Sequence, residues 1–221
     1  MTASYGSTIL APQRNPPPPS GVLAFPEREL TRGETLYRTG DPAETFYRIE
    51  QGLVKQGIDV LTGKERIVGL AGPGDFIGAL TPAQQVYQET ATALSPHVVV
   101  RVISFEEGHH LLKDEVLTAA GIHIARLQDA LEDDELPVTA RLARTLLRLG
   151  QRFGHTSEEG TVRLTLPLTH ENFAAMIGAA RETITAILGE LRSSGLVQGT
   201  RGRYSFDREA LSDFAVEASF L

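Results

Sequence analysis

The chain has 221 residues, 41% of them hydrophobic and 22% charged, with a formal net charge of −7. That length suffices for two modest cores, and no apolar run approaches the roughly 18 residues that a membrane span needs. With no cysteine, disulfides, thiol catalysis and cysteine-held iron–sulfur clusters are excluded, and the lack of a signal-peptide pattern points to a cytoplasmic address with no membrane partner.

The acidity is uneven. Residues 138–221 hold 10 Arg against 9 acidic side chains, a net of +1, so residues 1–137 carry −8. Residues 1–21, which include Pro16-Pro17-Pro18-Pro19, have little to pack and read as a solvated tail. Residues 22–112 read as a first domain. Strands are expected at Glu34–Tyr37, Thr45–Glu50, Leu53–Val60, Glu65–Leu70, Ala91–Ala93 and His97–Ile103. The turns between them carry Gly40, Gly52, Gly63, Gly72 and Gly74. Many short strands with such turns argue an antiparallel sandwich or jelly-roll barrel.

A short helix is expected from Phe105, then a long one from about Lys113 to Leu136 (residues 113–136). Its apolar stripe of Leu117, Ala120, Ile124, Leu127 and Leu131 steps by threes and fours, as a two-stranded seam does. Packing on the chain's own barrel is the alternative. Glu132-Asp133-Asp134-Glu135 crowds carboxylates at the unfavourable end of the helix dipole. Pro137 suits the first turn of a new helix, which places a hinge at Glu135–Pro137.

Residues 137–221 read as a second domain, and the whole as an α+β protein. Val138–Phe153 is a helix with Leu142, Leu146 and Leu149 inward, and Val162–Leu166 a short strand. Thr169 N-caps the next helix, whose apolar face is Phe173, Met176 and Ile177. Gly178-Ala179-Ala180 is a turn. A second helix buries Ile184, Ile187, Leu188 and Leu191 and exposes Arg181, Glu182 and Thr185. This spacing is that of a helix-turn-helix, whose second helix enters the DNA major groove; a plain helical hairpin is the alternative. Gly199–Phe206 reads as a hairpin wing and Arg208–Phe214 as a closing helix.

The combined pattern resembles the CRP/FNR family of bacterial transcription regulators. The residues that carry the likeness are Gly40-Asp41-Pro42-Ala43-Glu44-Thr45-Phe46-Tyr47, Gly72-Pro73-Gly74-Asp75-Phe76-Ile77-Gly78, the helix from Val138 to Leu147, and Leu168 through Gly178 with Arg181-Glu182-Thr183. The likeness spans roughly Leu30 to Phe206. It implies a homodimer on a palindromic, TGTGA-like double-stranded DNA site, with contacts to RNA polymerase. By the resemblance, Arg181 and Glu182 read bases, in keeping with Arg donating twice to guanine and Glu accepting from cytosine, and Thr185 faces the groove with them. A second base-reading Arg of the family's best-known member is Ala186 here, which implies a looser half-site. Thr169, His170 and Thr183 match phosphate-holding positions, and Arg201 and Arg203 in the wing are further phosphate candidates.

The effector site departs from the family. Cyclic-nucleotide-binding members use a Gly-Glu-Leu segment and an Arg-Ser/Thr-Ala segment. Here Gly78-Ala79-Leu80 has Ala79 at the ribose-holding position, and Glu89-Thr90-Ala91 has Glu89 where Arg takes the phosphate. A cyclic phosphate facing Glu89 is repelled. The adenine-facing pair of the long helix becomes Arg126-Leu127. Cyclic AMP is therefore not the expected ligand. No cofactor and no metal are implied: His109 and His110 cannot face one metal from a regular helix, and His97 stands alone among the predicted strands. The choice left open is a dimer competent for DNA without any effector, or a barrel that takes a different small molecule. A cupin-like barrel enzyme is the remaining alternative, but it needs a His-x-His metal set that is absent from the sequence. The chain is expected not to be an enzyme.

Overall fold

A computed structural model describes residues 25–220 apart from 62 and 82; the expected tail at 1–21 lies outside the described residues. The elements in order are β1 (Glu27–Thr31), β2 (Thr35–Tyr37), β3 (Thr45–Gln51), β4 (Val54–Asp59), β5 (Glu65–Ala71), β6 (Phe76–Gly78), β7 (Thr90–Ala93) and β8 (His97–Ser104), then α1 (Phe105–Leu111), α2 (Lys113–Asp134) and α3 (Val138–Phe153). The last third adds β9 (His155–Thr156), β10 (Thr161–Thr165), α4 (His170–Ile177), α5 (Arg181–Ser193), β11 (Gln198–Thr200), β12 (Arg203–Asp207), α6 (Arg208–Glu217) and a 3-10 turn at Ala218–Phe220.

The first domain is two antiparallel four-stranded sheets, β1-β8-β3-β6 and β2-β7-β4-β5, rather than one closed sheet. Two strands escape the sequence pattern. β1 is a charged edge strand in which Leu30 alone is buried, so it lacks the alternation that marks a half-buried strand. β6 is three residues long and follows directly on the Gly-Pro-Gly turn.

Inward residues of both sheets, among them Tyr37, Tyr47, Ile49, Val54, Ile77, Tyr87, Val98 and Val100, form one core. On the outer side of the first sheet, Phe25, Phe46, Ile103, Leu112 and Val116 anchor the start of α2. Over its 22 residues α2 extends about 33 Å, and its buried residues are Val116 and Asp133. The predicted stripe stays open to solvent at Leu117 (69%), Ile124 (58%), Leu127 (40%) and Leu131 (70%), with Ala120 half-buried. The chain's own barrel does not cover this face.

The helix ends at Asp134 and Pro137 caps α3 rather than lying within its first turn. The crowded carboxylates are matched by arginines. Asp133 is buried and accepts from Arg144 Nε at 2.6 Å and from Arg148 Nη2. Asp134 accepts from Arg66 Nη2 at 2.8 Å and lies 3.5 Å from Arg141 Nη1. Arg141, Arg144 and Arg148 lie on neighbouring turns of α3, so the sequence that follows the acidic run supplies its counter-charges.

The second domain is not free of the first. Its core of Leu142, Leu146, Phe173, Ile177, Ile184, Leu188 and Leu191 is continuous with Leu53, Ile67, Leu70 and Leu94 of the barrel. Gly72 is required at this junction, because an added Cβ would stand 2.7 Å from Phe153 Cε1. Beside it Arg152 donates to Leu70 O (2.9 Å) and to Asp75 Oδ2 (2.7 Å). Burial lowers the Arg152 pKa to about 10, Asp75 opposing, so Arg152 stays charged at neutral pH. Among the described residues no helix is long and apolar enough to cross a membrane.

Candidate functional site

Two places concentrate the predicted residues: the helix-turn-helix with its wing, and the interior of the barrel. At the first, Thr169 and Asn172 close a reciprocal capping box. Thr169 Oγ1 accepts from Asn172 N at 3.2 Å, and Asn172 Oδ1 accepts from Thr169 N at 2.9 Å. Gly178 ends α4 with φ 72° and ψ 42°, a left-handed cap that glycine takes without a Cβ clash. α5 then runs across α4 with Ile184, Ile187, Leu188 and Leu191 buried. Tyr204 of β12 meets the Phe173 ring edge-on at 5.8 Å, which pins the wing to the helix pair.

This packing leaves Arg181, Glu182, Thr183, Thr185 and Ala186 on the exposed side of α5. Among the described residues Arg181 makes no ion pair, with Glu182 and Glu190 included. The wing turn is Arg201-Gly202, with φ 53° and 79°, the two positive angles of a type I′ hairpin. A non-glycine residue there costs on the order of 1–2 kcal/mol, yet Arg201 occupies it and is exposed beside Arg203. Thr169, Arg181, Arg201 and Arg203 thus all open to solvent. β10 and β9 extend the wing into a four-stranded sheet, β11-β12-β10-β9.

His170 and Thr185 differ from the sequence expectation of two independent contacts. His170 Nδ1 lies 2.8 Å from Thr185 Oγ1, and Thr185 Oγ1 donates to Arg181 O at 2.9 Å. Burial, then Arg192 and Arg181, hold the His170 pKa below its usual value. Nothing in the sequence spacing reveals this link, because the two residues are 15 apart on different helices.

In the barrel, three tyrosines are buried in the core between the sheets. Tyr37 stacks on Tyr87 with centroids 4.0 Å apart and on Tyr47 at 5.6 Å. Tyr37 Oη donates to Glu89 Oε1 at 2.8 Å, and Gln56 Nε2 donates to the same oxygen at 3.0 Å. Burial, with Glu89 beside it, pushes the Tyr37 hydroxyl well above the usual phenol range, so it remains a donor. Tyr87 Oη donates to Thr45 O at 2.9 Å and lies 2.8 Å from Thr45 Oγ1. Ala79 is buried in the same core, and Tyr87 Cε1 would stand 3.3 Å from a Cβ added to its neighbour Gly78. Thr90 Oγ1 accepts from Thr39 N at 3.1 Å.

Arg126 and Leu127 are not brought to Ala79 and Glu89. Arg126 is 3.4 Å from Asp75 Oδ1 at the domain junction, and Leu127 is on the open face of α2. Sequence reasoning missed the tyrosines. For Tyr37 and Tyr47 the available signal was a place on an expected strand; Tyr87 precedes β7 in a loop and offered none. Among the described residues no three His, Asp or Glu side chains converge as a metal set does.

Comparison with known proteins agrees with this geometry. Residues 27–115 match the cyclic nucleotide-binding domain family and residues 140–214 the Crp-like helix-turn-helix domain. The chain is 29% identical over 196 residues to a CRP-like cAMP-activated global transcriptional regulator of Mycobacterium tuberculosis, covering 81% of this chain and 85% of that one. It is 31% identical over 199 residues to the regulatory protein CysR of Synechococcus elongatus, covering 89% of each. A CRP-family transcriptional regulator from Thermus thermophilus superposes with a TM-score of 0.73 at 27% identity, over 87% of this chain and 98% of that one.

Proposed function

The chain belongs to the CRP/FNR family of DNA-binding transcription regulators, and from that premise we propose that it binds DNA as a homodimer without cyclic AMP or any other effector. The observation that carries the reading is the stack of buried tyrosines beside Glu89. Tyr37, Tyr47 and Tyr87 stack through the interior, and Glu89 holds Tyr37 and Gln56 where an incoming phosphate would need a cation. Displacing the stack would strip buried hydroxyls of their partners at about 1–3 kcal/mol each and set a phosphate against a carboxylate.

In this reading two copies meet along the open stripe of α2, and the pairing spaces two α5 helices about one DNA turn apart. Arg181 and Glu182 face base edges in a palindromic, TGTGA-like site, and Thr169, Thr183, Arg201 and Arg203 hold phosphates. The protein's abundance then sets occupancy, and contact with RNA polymerase follows from the bound position. Such a chain works in the cytoplasm.

A second reading keeps the same DNA contacts but gates them with a different small molecule. A surface depression of about 430 Å³ between Glu44, Thr81, Gln84 and Phe105 offers a place for it. A mobility shift separates the two. Purified, ligand-free protein should shift a TGTGA-like palindrome at moderate salt, with affinity unchanged by millimolar cyclic AMP. A shift that requires the small-molecule fraction of a cell extract overturns the effector-free reading, and one that requires cyclic AMP overturns both.

A further inference from the structure

The link between His170 and Thr185 assigns what Thr185 can offer to DNA. A hydroxyl carries one proton. With that proton donated to Arg181 O at 2.9 Å, the oxygen accepts, and His170 Nδ1, 2.8 Å away, is the donor. The hydroxyl is thereby engaged on both sides, by its own helix and by the first helix of the pair. The methyl group is the part of this exposed side chain left without a partner.

One position on, exposed Ala186 adds a second methyl, and a Cβ on Gly189, one turn after Thr185, would meet nothing within 4 Å. The outer side of α5 thus changes along its length, from the charged pair Arg181-Glu182 to a small apolar surface. In the major groove, thymine alone among the bases presents a methyl group, and small apolar side chains recognise it by contact.

We propose that Thr185, with Ala186 beside it, reads a thymine 5-methyl group in the half-site through its own methyl, and that His170 is a positioning residue that holds Thr185 in this orientation. The inference rests on the groove assignment of α5 made above. It turns Thr185 from a polar reader into an apolar one, and it gives His170 work inside the protein in addition to any phosphate contact.

The test begins with the half-site selected by the wild-type protein from a randomised DNA pool. Each thymine is then replaced in turn by deoxyuridine, which removes only the methyl. One position per half-site is expected to weaken binding about fourfold, the worth of one buried methyl-sized group. Thr185→Val, whose two branches present a methyl in either orientation and so need no hold from His170, should retain both affinity and the uracil penalty. Thr185→Ser, which keeps the hydroxyl and loses the methyl, should abolish the penalty. His170→Ala should shrink the penalty at that same position, a readout that general weakening of phosphate contacts does not move. The proposal is overturned if no thymine is sensitive, if Thr185→Ser keeps the penalty, if Thr185→Val loses tenfold or more in affinity, or if His170→Ala leaves the penalty intact. Arg181→Ala is the control for the underlying assignment. Selective loss at one G·C pair keeps α5 in the groove whatever Thr185 does, whereas uniform loss removes the groove assignment itself.

Discussion

In the dimer proposed above, Ile124→Glu should shift the protein to monomer. The four open side chains of the α2 stripe, exposed by 69, 58, 40 and 70%, together present a little over two whole aliphatic side chains. At about 1.5–3 kcal/mol for each such side chain buried, the stripe contributes on the order of 4–7 kcal/mol per protomer, twice that for the pair. Association itself costs about 4–15 kcal/mol, so the seam suffices with little to spare. Ile124 lies at the middle of the stripe, the position that a parallel two-fold pairing sets opposite its own mate. Glutamate there forfeits about 1–2 kcal/mol on each side and faces a second carboxylate across the axis. The loss to the dimer is about 3–5 kcal/mol, which weakens the dimer Kd by roughly two to four orders of magnitude. Sedimentation velocity between 0.1 and 50 µM reads it directly, with Ala125→Glu on the solvent side of α2 as the matched control. The reasoning is refuted if Ile124→Glu and Ala125→Glu sediment alike, or if the wild-type chain is monomeric across that range.

Arg181→Ala should cost roughly 1–3 kcal/mol at the specific DNA site and relax preference at one G·C pair; competition binding against single-pair variants measures both. Asp133→Asn should destabilise the fold by about 1–3 kcal/mol in urea denaturation. It strips the charge partner from Arg144 and Arg148, and the figure stays below that for a fully buried pair because both arginines are over one-third exposed. His170 is held below its ordinary pKa by burial and by Arg192 and Arg181, so the unfolded chain takes up a proton first on acidification. Stability contributed by neutral His170 is complete above pH 6.5 and declines as the pH falls below it. His170→Gln should therefore flatten the pH dependence of the urea midpoint between pH 7 and 5, and identical slopes in the two proteins contradict the assignment.

Much of this organisation is legible in the chain because it is local. Thr169 and Asn172 sit three apart and cap a helix; Gly178 follows at its end. The apolar stripe of α2 is a matter of 3.6-residue spacing, and its exposure follows from what the barrel leaves uncovered. Paired glycine-bearing turns mark the corners of the sheets, and Ala79 and Glu89 are read from the resemblance alone as standing where relatives carry nucleotide anchors. Edge strand β1 was not legible, since three of its five residues are charged and an edge needs no apolar alternation.

What the linear order could not decide is which distant residues answer one another. The run Glu132–Glu135 looks unfavourable until α3 folds back and sets Arg144 and Arg148 on Asp133, while Arg66 arrives from β5 to meet Asp134. Glu89 looks like a lost anchor. Only the pairing of β7 between β2 and β4 brings Tyr37 and Gln56 onto it, and makes it a half-buried acceptor for both side chains. Thr185 looks like a free hydroxyl until α4 crosses α5 and His170 occupies it. Sequence period determines the elements because backbone geometry is local. The partners of buried or half-buried polar groups are chosen in three dimensions, since desolvation makes each such group take whichever partner the packing delivers.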